Sequence, residues 1–350
     1  MTDHSRRSSS NKVGGELQRI PTPYVLFLGD AIDREAAKTA IGIAHWRPDN
    51  CVGQLRLPGC QVDLGLADLD VEGASERGAR TLVVGVANRG GEVSPGWIDT
   101  LVDAAEQGLH LAAGLHTRLS GFDVITSAAL ASGVGIHDVR IPPSGLPVGN
   151  GVRRSGKRLL TIGTDCSVGK MFTSLQLARE MEARGIPATF RATGQTGILI
   201  AGEGIPVDAV VGDFISGSVE RLTPEAPEDH WDVVEGQGSL FHPSFAGVSL
   251  GLLHGSQPDA MVLCLVPGRP HMRGLPHVPS PDLGQCLSLN EEAARLTNPA
   301  ARVVGLSANT YGMTPDDAER TLDELERELG LPAVDPVRTG VSRLIDALPK

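Results

Sequence analysis

Apolar residues along this chain gather in short unbroken runs, each closed by a glycine or polar turn and followed by a stretch in which apolar positions recur every three or four residues. Short apolar runs of this kind read as strands buried on both faces, and the recurring stretches read as helices laid over them. In the first part of the chain the predicted strands are residues 24–28, 81–86 and 109–113. Helices are predicted over 35–43 and through Trp97, Leu101, Ala104 and Ala105. Further along, strands are predicted at 159–162, 188–192, 208–212, 231–234, 260–266 and 302–307. A helix follows the first of these, with Met171, Leu175, Ala178 and Met181 on one face and Gly185 and Pro187 as its stop. The last predicted helix has Thr314 as N-cap, Pro315 in its first turn and Asp316 and Asp317 at its positive end. Ala318, Leu322, Leu325 and Leu329 line its buried face. Strand and helix alternating throughout define an α/β protein with parallel sheets.

A chain of 350 residues exceeds what one core usually organises, so two domains are expected. The stretch from Ile141 through Pro142, Pro143, Gly145 and Pro147 to Gly151 has the composition of a connector. The predicted layout is a disordered tail at 1–19, which is Ser-rich and without periodicity, a Rossmann-like domain at 20–150, and a P-loop NTPase-like domain at 151–350. A formal charge of -11 and an aromatic content of 3% argue against nucleic acid and anionic membranes as partners. The ligand of such a chain is a small molecule, and any cation that an anionic ligand needs must be supplied locally. Five cysteines with no zinc-type spacing suit reduced thiols, and no metal is predicted. Without a secretory apolar core or a spanning run of ~20 apolar residues, the expected location is the cytoplasm. A two-domain α/β enzyme of this kind is expected to form a homo-oligomer.

The sharpest local signal is Gly163-Thr164-Asp165-Cys166-Ser167-Val168-Gly169-Lys170-Met171, lying between a predicted strand and a predicted helix. That context makes it a phosphate cradle: successive backbone N–H groups turn inward at the positive end of a helix, and a lysine adds its charge. Nucleotide hydrolases place Ser or Thr directly after the lysine to hold magnesium, whereas this chain has Met171. A thioether is a poor ligand for a hard cation. Thr173, two residues on, and Ser167 in the loop are the hydroxyls available to replace it. Cys166, beside a lysine and a helix start, is expected to have a lowered thiol pKa and opens the option of a covalent intermediate.

In parallel sheets ligands sit beyond the carboxyl ends of the strands. Gly29-Asp30, Asn88-Arg89-Gly90-Gly91 and Gly114-Leu115-His116 fall there in the first domain. In the second, Asp213 closes the 208–212 run and Glu235 follows 231–234. Asn309 follows the 302–307 run.

The loop's five-residue spacing between glycines, with Thr164 and Asp165 after the first, resembles dethiobiotin synthetase and its P-loop relatives. That likeness implies a magnesium-assisting role for Glu235 and an adenine-reading role for Asn309. Taken with Ala87-Asn88-Arg89-Gly90-Gly91, Arg191-Ala192-Thr193-Gly194-Gln195-Thr196-Gly197 and Glu235-Gly236-Gln237-Gly238-Ser239-Leu240, the loop resembles a family whose characterised members are D-glutamate N-acetyltransferases of the DgcN type. The resemblance runs from about Pro21 to Leu348, and the methionine after the loop lysine belongs to the family pattern. It implies acetyl transfer from acetyl-CoA to an acidic amino acid, with the loop gripping the phosphates of the carrier.

Such a reaction needs a base for the amine and donors for the oxyanion. The candidates are Glu235 or Asp213, with His242, for the proton, and Gln195, Thr196 and the amides of residues 236–239 for the oxyanion. Arg89 and Arg273 are candidate clamps for the substrate carboxylates. Two other functions use the same loop: an ATP- and magnesium-dependent ligase or kinase resembling dethiobiotin synthetase, and a nucleotide-binding regulator without catalysis.

Overall fold

The computed structural model of the chain describes residues 19–87 and 91–349. The predicted tail lies outside them except for Arg19, whose guanidinium pairs with Glu203 at 3.1 Å. Asn88, Arg89 and Gly90 also lie outside them.

The first sheet is built from β1 (Tyr24–Gly29), β2 (Cys51–Arg56), β3 (Thr81–Val84), β4 (His110–Ala113) and β5 (Ile136–Asp138). Its strands are all parallel, in the order β2-β1-β3-β4-β5. Helices α1 (Lys38–Trp46), α2 (Val71–Glu76), α3 (Ile98–Glu106) and α4 (Asp123–Ser132) connect them. Strands β1 and β3 are buried along their whole length, which is why each reads as an unbroken apolar run. Two strands carry no such run. In β2 the fully buried Gln54 donates to Asp63 and Asp68, so polar groups are satisfied inside a strand. β5 is three residues long with His137 at its centre.

The second sheet contains β6 (Lys157–Gly163), β7 (Ala188–Arg191), β8 (Trp231–Val234), β9 (Ala260–Leu265), β12 (Arg302–Ala308) and β13 (Ala333–Val334). These strands are parallel in the order β13-β12-β9-β6-β8-β7. Around it lie α5 (Lys170–Ala183), α6 (Gln195–Ala201), α7 (Ile215–Leu222), α8 (Ala246–Ser256), α9 (Leu283–Arg295) and α10 (Pro315–Leu329). A small antiparallel hairpin, β10 (His271–Met272) and β11 (Leu275–Pro279), projects after β9. Helix α10 has the predicted cap, with Thr314 Oγ1 accepting from the amide of Asp317 at 3.2 Å. One further short helix, α11 (Ser342–Asp346), follows it.

The predicted strand at 208–212 does not form. Residues Val207–Ala209 and Gly212–Phe214 are 3-10 turns. Ile205, Val207 and Val210 enter the core of the second domain, while Val211 is exposed. The run is apolar because it packs as a connector, and burial without pairing leaves the same mark in the sequence as a strand.

Residues 141–151 carry no helix or strand. The two sheets are not held by that segment alone. Ala192, Leu175, Ile198, Leu199 and Ile200 belong to the same buried apolar cluster as β1, β3 and β4, so α6 is seated in the core of the first domain. Phe172 of α5 meets Trp46 of α1 edge-on, with ring centroids 4.9 Å apart. No helix among the described residues is long and apolar enough to cross a membrane.

Close packing of α1 on the first sheet depends on Gly85, where an added Cβ would lie 2.3 Å from the Cβ of Ala40. Gly85→Ala is expected to destabilise the protein by about 1–3 kcal/mol through overpacking. Gly96→Ala, at a position with nothing within 4 Å, should change little. Urea unfolding of both variants makes the comparison.

Candidate active site

The loop from Gly163 to Lys170 follows β6, the strand with β8 and β9 as its neighbours. Ser167 at φ 52 and Gly169 at φ 99 take left-handed backbone, and this reversal turns loop amides toward one centre. The interior of the loop is braced. Asp165 is buried, and its carboxylate accepts from the amides of Cys166 at 2.6 Å and Arg273 at 2.7 Å and from the guanidinium of Arg269 at 2.8 Å. Arg269 also donates to the carbonyl of Cys166 at 3.1 Å. Arg269 gave no sequence signal, because a single arginine in an irregular segment after a strand has no spacing to mark it. Arg273 reaches the loop through its main chain, and the residue itself is exposed on the hairpin.

Lys170 is buried, and Nζ donates to the carbonyls of Asp165 at 2.7 Å and Gly238 at 2.8 Å. Burial pushes its pKa down. Met171 and Phe172 pack against the core of the first domain. Thr173 is 1% exposed; its hydroxyl donates to the carbonyl of Gly169 at 3.0 Å and shares a hydrogen bond of 2.8 Å with Ser307. The sequence left this hydroxyl open as a substitute for the missing Ser or Thr; in the structure it lies on the wall of the cavity beside the loop, already engaged by Gly169 and Ser307.

Cys166 departs from expectation. Desolvation raises its thiol pKa, and the nearby Lys170, Arg273 and Arg269 offset this only in part. A ring nitrogen of His242, the Cys166 sulfur and an Asp165 oxygen lie within 4.8 Å of one another. His242 is buried, stacked on Phe245, and its Nδ1 accepts from the amide of Ser244 at 3.1 Å. That bond places the proton of a neutral imidazole on Nε2. In that tautomer Nε2 is a donor to its neighbours.

Glu235 ends β8 and is 4% exposed. One carboxylate oxygen accepts from the amides of Thr193 at 2.9 Å and Gly194 at 3.1 Å. Burial raises its pKa to about 7, against the opposing effect of those two bonds and of Lys170. The other oxygen accepts no hydrogen bond among the described residues. Glycine is required where this side chain passes α6, since a Cβ on Gly197 would lie 2.3 Å from Glu235 Oε2. The amide of Gly236 donates to Thr161 Oγ1 at 3.0 Å and is thereby withdrawn from the candidate oxyanion donors.

Asp213 does not join this group as expected. It is exposed on the 3-10 turn ahead of α7, because the strand that was to aim it does not exist.

Gln195, at the start of α6, meets the carboxyl edge of the first sheet. A Cβ on Gly114, just beyond β4, would lie 3.1 Å from its Cβ and Cγ. Its Oε1 accepts from Arg140 at 2.6 Å, and Arg140 also pairs with Asp208 at 3.0 Å. With its oxygen held, Gln195 presents its NH2 as a donor. The methyl of Thr196 faces Gly42 of α1, 3.6 Å from where a Cβ would sit. Gly91, at φ 61, packs against His116. The other three residues of that predicted group, Asn88, Arg89 and Gly90, lie outside the described residues. Asp30 accepts from Trp97 Nε1 at 2.8 Å, so it orders the first domain's own turn.

Beside the loop lies a cavity of about 430 Å³ whose walls include Val168, Phe172, Asn309, Tyr311, Val337 and Arg338. Asn309 Oδ1 accepts from the amide of Tyr311 at 3.0 Å, which shapes this wall.

A phosphate-binding loop on one parallel sheet, facing the carboxyl edge of a second, defines a two-domain α/β protein with a Rossmann-like and a P-loop half. Residues 56–142 match the Rossmann-like domain of unknown function DUF1611_N, and residues 147–345 match the P-loop domain of unknown function DUF1611_C. The chain belongs to this family. It is 54% identical over 329 residues to a D-glutamate N-acetyltransferase from Tritonibacter scottomollicae, covering 94% of this chain and 99% of the relative. A second D-glutamate N-acetyltransferase, from a Pseudoalteromonas species, is 47% identical, covering 93% and 98%. A crystal structure of a DUF1611 family protein from Anabaena variabilis has a TM-score of 0.80 at 32% identity, covering 93% of this chain and 99% of that one. The protein is an N-acetyltransferase.

A carboxyl group neutral up to about 7 in the fold and about 4.5 when unfolded binds its proton more tightly in the folded state. Its contribution to stability is present below pH 4.5 and is lost as the pH rises from there through 7. The loss expected from Glu235 is roughly 3 kcal/mol. Glu235→Gln should flatten that part of the stability–pH curve, as read by urea unfolding at several pH values.

Proposed function

We propose that the protein transfers the acetyl group of acetyl-CoA to the amine of D-glutamate or a closely similar acidic amino acid. The observation that carries the donor assignment is the start of α5. A phosphate cradle with a buried lysine is followed by a thioether packed on the first domain, and the next hydroxyl, Thr173, is engaged by Gly169 and Ser307. This arrangement offers donors for phosphate oxygens without the adjacent hydroxyl that a magnesium nucleotide needs. Coenzyme A brings adenine and pyrophosphate to such a loop and asks for no metal. For the same reason the ATP-dependent ligase reading is disfavoured. The acceptor rests on the two relatives named D-glutamate N-acetyltransferase.

In this reading the residues from Gly163 to Lys170 hold the pyrophosphate, with Lys170 exchanging its two carbonyl partners for phosphate oxygens. Met171 and Thr173 shape the helix start, and Asn309 borders the adenine. The carrier's arm has a main chain about as long as that of four residues and, at ~3.5 Å per extended residue, reaches on the order of 15 Å. That length lets the thioester lie between the loop and the carboxyl edge of the first sheet, toward Gln195 and toward Glu235, whose carboxylate meets the amides just ahead of it. Cys166, inside the loop, is then beside phosphates rather than the thioester, which favours direct transfer.

Glu235 takes the proton of the acceptor ammonium. The free amine attacks the thioester carbon and a C–N bond forms; the C–S bond then breaks and coenzyme A leaves as its thiol, carrying away the second amine proton. The NH2 of Gln195, oriented by Arg140, donates to the oxyanion. Arg273 on the hairpin and Arg89 are the assigned clamps for the acceptor carboxylates.

Titration calorimetry should show acetyl-CoA binding without magnesium and no magnesium-dependent ATP binding; tight binding of ATP only with magnesium would overturn the donor assignment. Lys170→Ala should abolish donor binding. Wild-type kcat should climb with pH to a plateau above about 7, because the base form of Glu235 is populated there. Glu235→Gln should retain donor binding and lower kcat by roughly 10²-fold or more. Normal turnover in Glu235→Gln would rule this residue out as the base.

A further inference from the structure

The cavity beside the loop has a cation at the wrong place for an ordinary nucleotide. Its walls are formed by Val168 and Phe172 at the loop end and by Tyr311, Asp335, Val337 and Arg338 at the other. Arg338 is the only Lys or Arg among the described residues that line it. It follows β13, the edge strand, which is separated from the loop-bearing β6 by β9 and β12. Three strand spacings of ~4.8 Å put the ends of β6 and β13 roughly 14 Å apart. The charges of an adenine nucleotide all lie on its 5′ phosphates, at the loop, so they do not call for a guanidinium on this side.

The one carboxylate among the described residues of this wall is already held by hydrogen bonds. The Asp335 carboxylate accepts from the amides of Thr310 at 3.1 Å, Val337 at 2.8 Å and Arg338 at 3.1 Å, and from the Thr310 hydroxyl. The Arg338 side chain is about one-third exposed and braced by a 2.7 Å bond to the carbonyl of Met313, with Nε 3.9 Å from Asp335. Among the described residues its other terminal nitrogen, Nη1, makes no hydrogen bond. A braced guanidinium with free N–H groups at the rim of an adenosine-sized cavity suits an anion attached to the ribose.

We propose that Arg338 is a specificity-determining residue that binds the 3′-phosphate of coenzyme A and so selects this carrier over adenine nucleotides and over carriers that lack that group. The proposal rests on the carrier assignment made above, and it adds what discriminates among carriers sharing the same adenine, pyrophosphate and arm. Uncharged contacts of the cavity treat such carriers alike.

The test compares kcat/KM for acetyl-CoA and for 3′-dephospho-acetyl-CoA in the wild-type enzyme, Arg338→Gln and Arg338→Lys, with D-glutamate as acceptor. Wild type is expected to favour acetyl-CoA by roughly tenfold or more, mainly in KM, as a lost charge-assisted hydrogen bond implies. In Arg338→Gln that ratio should fall to near one, and Arg338→Lys should recover part of it. Equal use of both donors by the wild type, or an unchanged ratio in Arg338→Gln, would overturn the role of Arg338 and leave the carrier assignment standing. Failure of the wild type to use either thioester would overturn the carrier assignment itself, and this proposal with it.

Discussion

The contact on which this architecture depends is the buried carboxylate of Glu235 against the amides of Thr193 and Gly194. It joins the end of β8 to the turn that starts α6, and α6 is the helix seated in the core of the first domain. Thr193 reinforces the joint by donating its hydroxyl to the carbonyl of Glu235 at 2.6 Å. A carboxylate in so dry a place is costly to keep charged, and two main-chain donors and a neighbouring lysine only partly offset that cost. The group that fixes the position of α6 is consequently also a group that titrates near neutrality.

The phosphate loop is arranged on a different principle. Its internal charges are matched before any ligand arrives: Asp165 to Arg269, Lys170 to two carbonyls. The loop holds its shape through its own side chains, with Lys170 Nζ held by the carbonyls of Asp165 and Gly238. The neighbouring domain contributes rigidity through Met171 and Phe172.

Much of the fold was legible because parallel strands buried on both faces leave unbroken apolar runs. Where burial and strand pairing part company, the signal misled in both directions. Gln54 is polar inside a true strand, and residues 205–211 are apolar outside one. For the site, the loop could be read from spacing and context, and Glu235 from its place after a buried run. Arg269, Arg140 and Arg338 could not, since each arrives from a separate segment and acquires its partner only through the folded topology. Asp213 failed for the converse reason: its expected position depended on a strand that is absent.

Phe172 has two neighbours that belong to different parts of the molecule. One side of its ring borders the cavity beside the loop, and its edge meets Trp46 in the first domain. A wall shared in this way links two free energies, that of filling the cavity and that of holding the domains together. Linkage is reciprocal, so whatever change an occupant of the cavity makes in the free energy of the junction, the junction makes in the binding of that occupant.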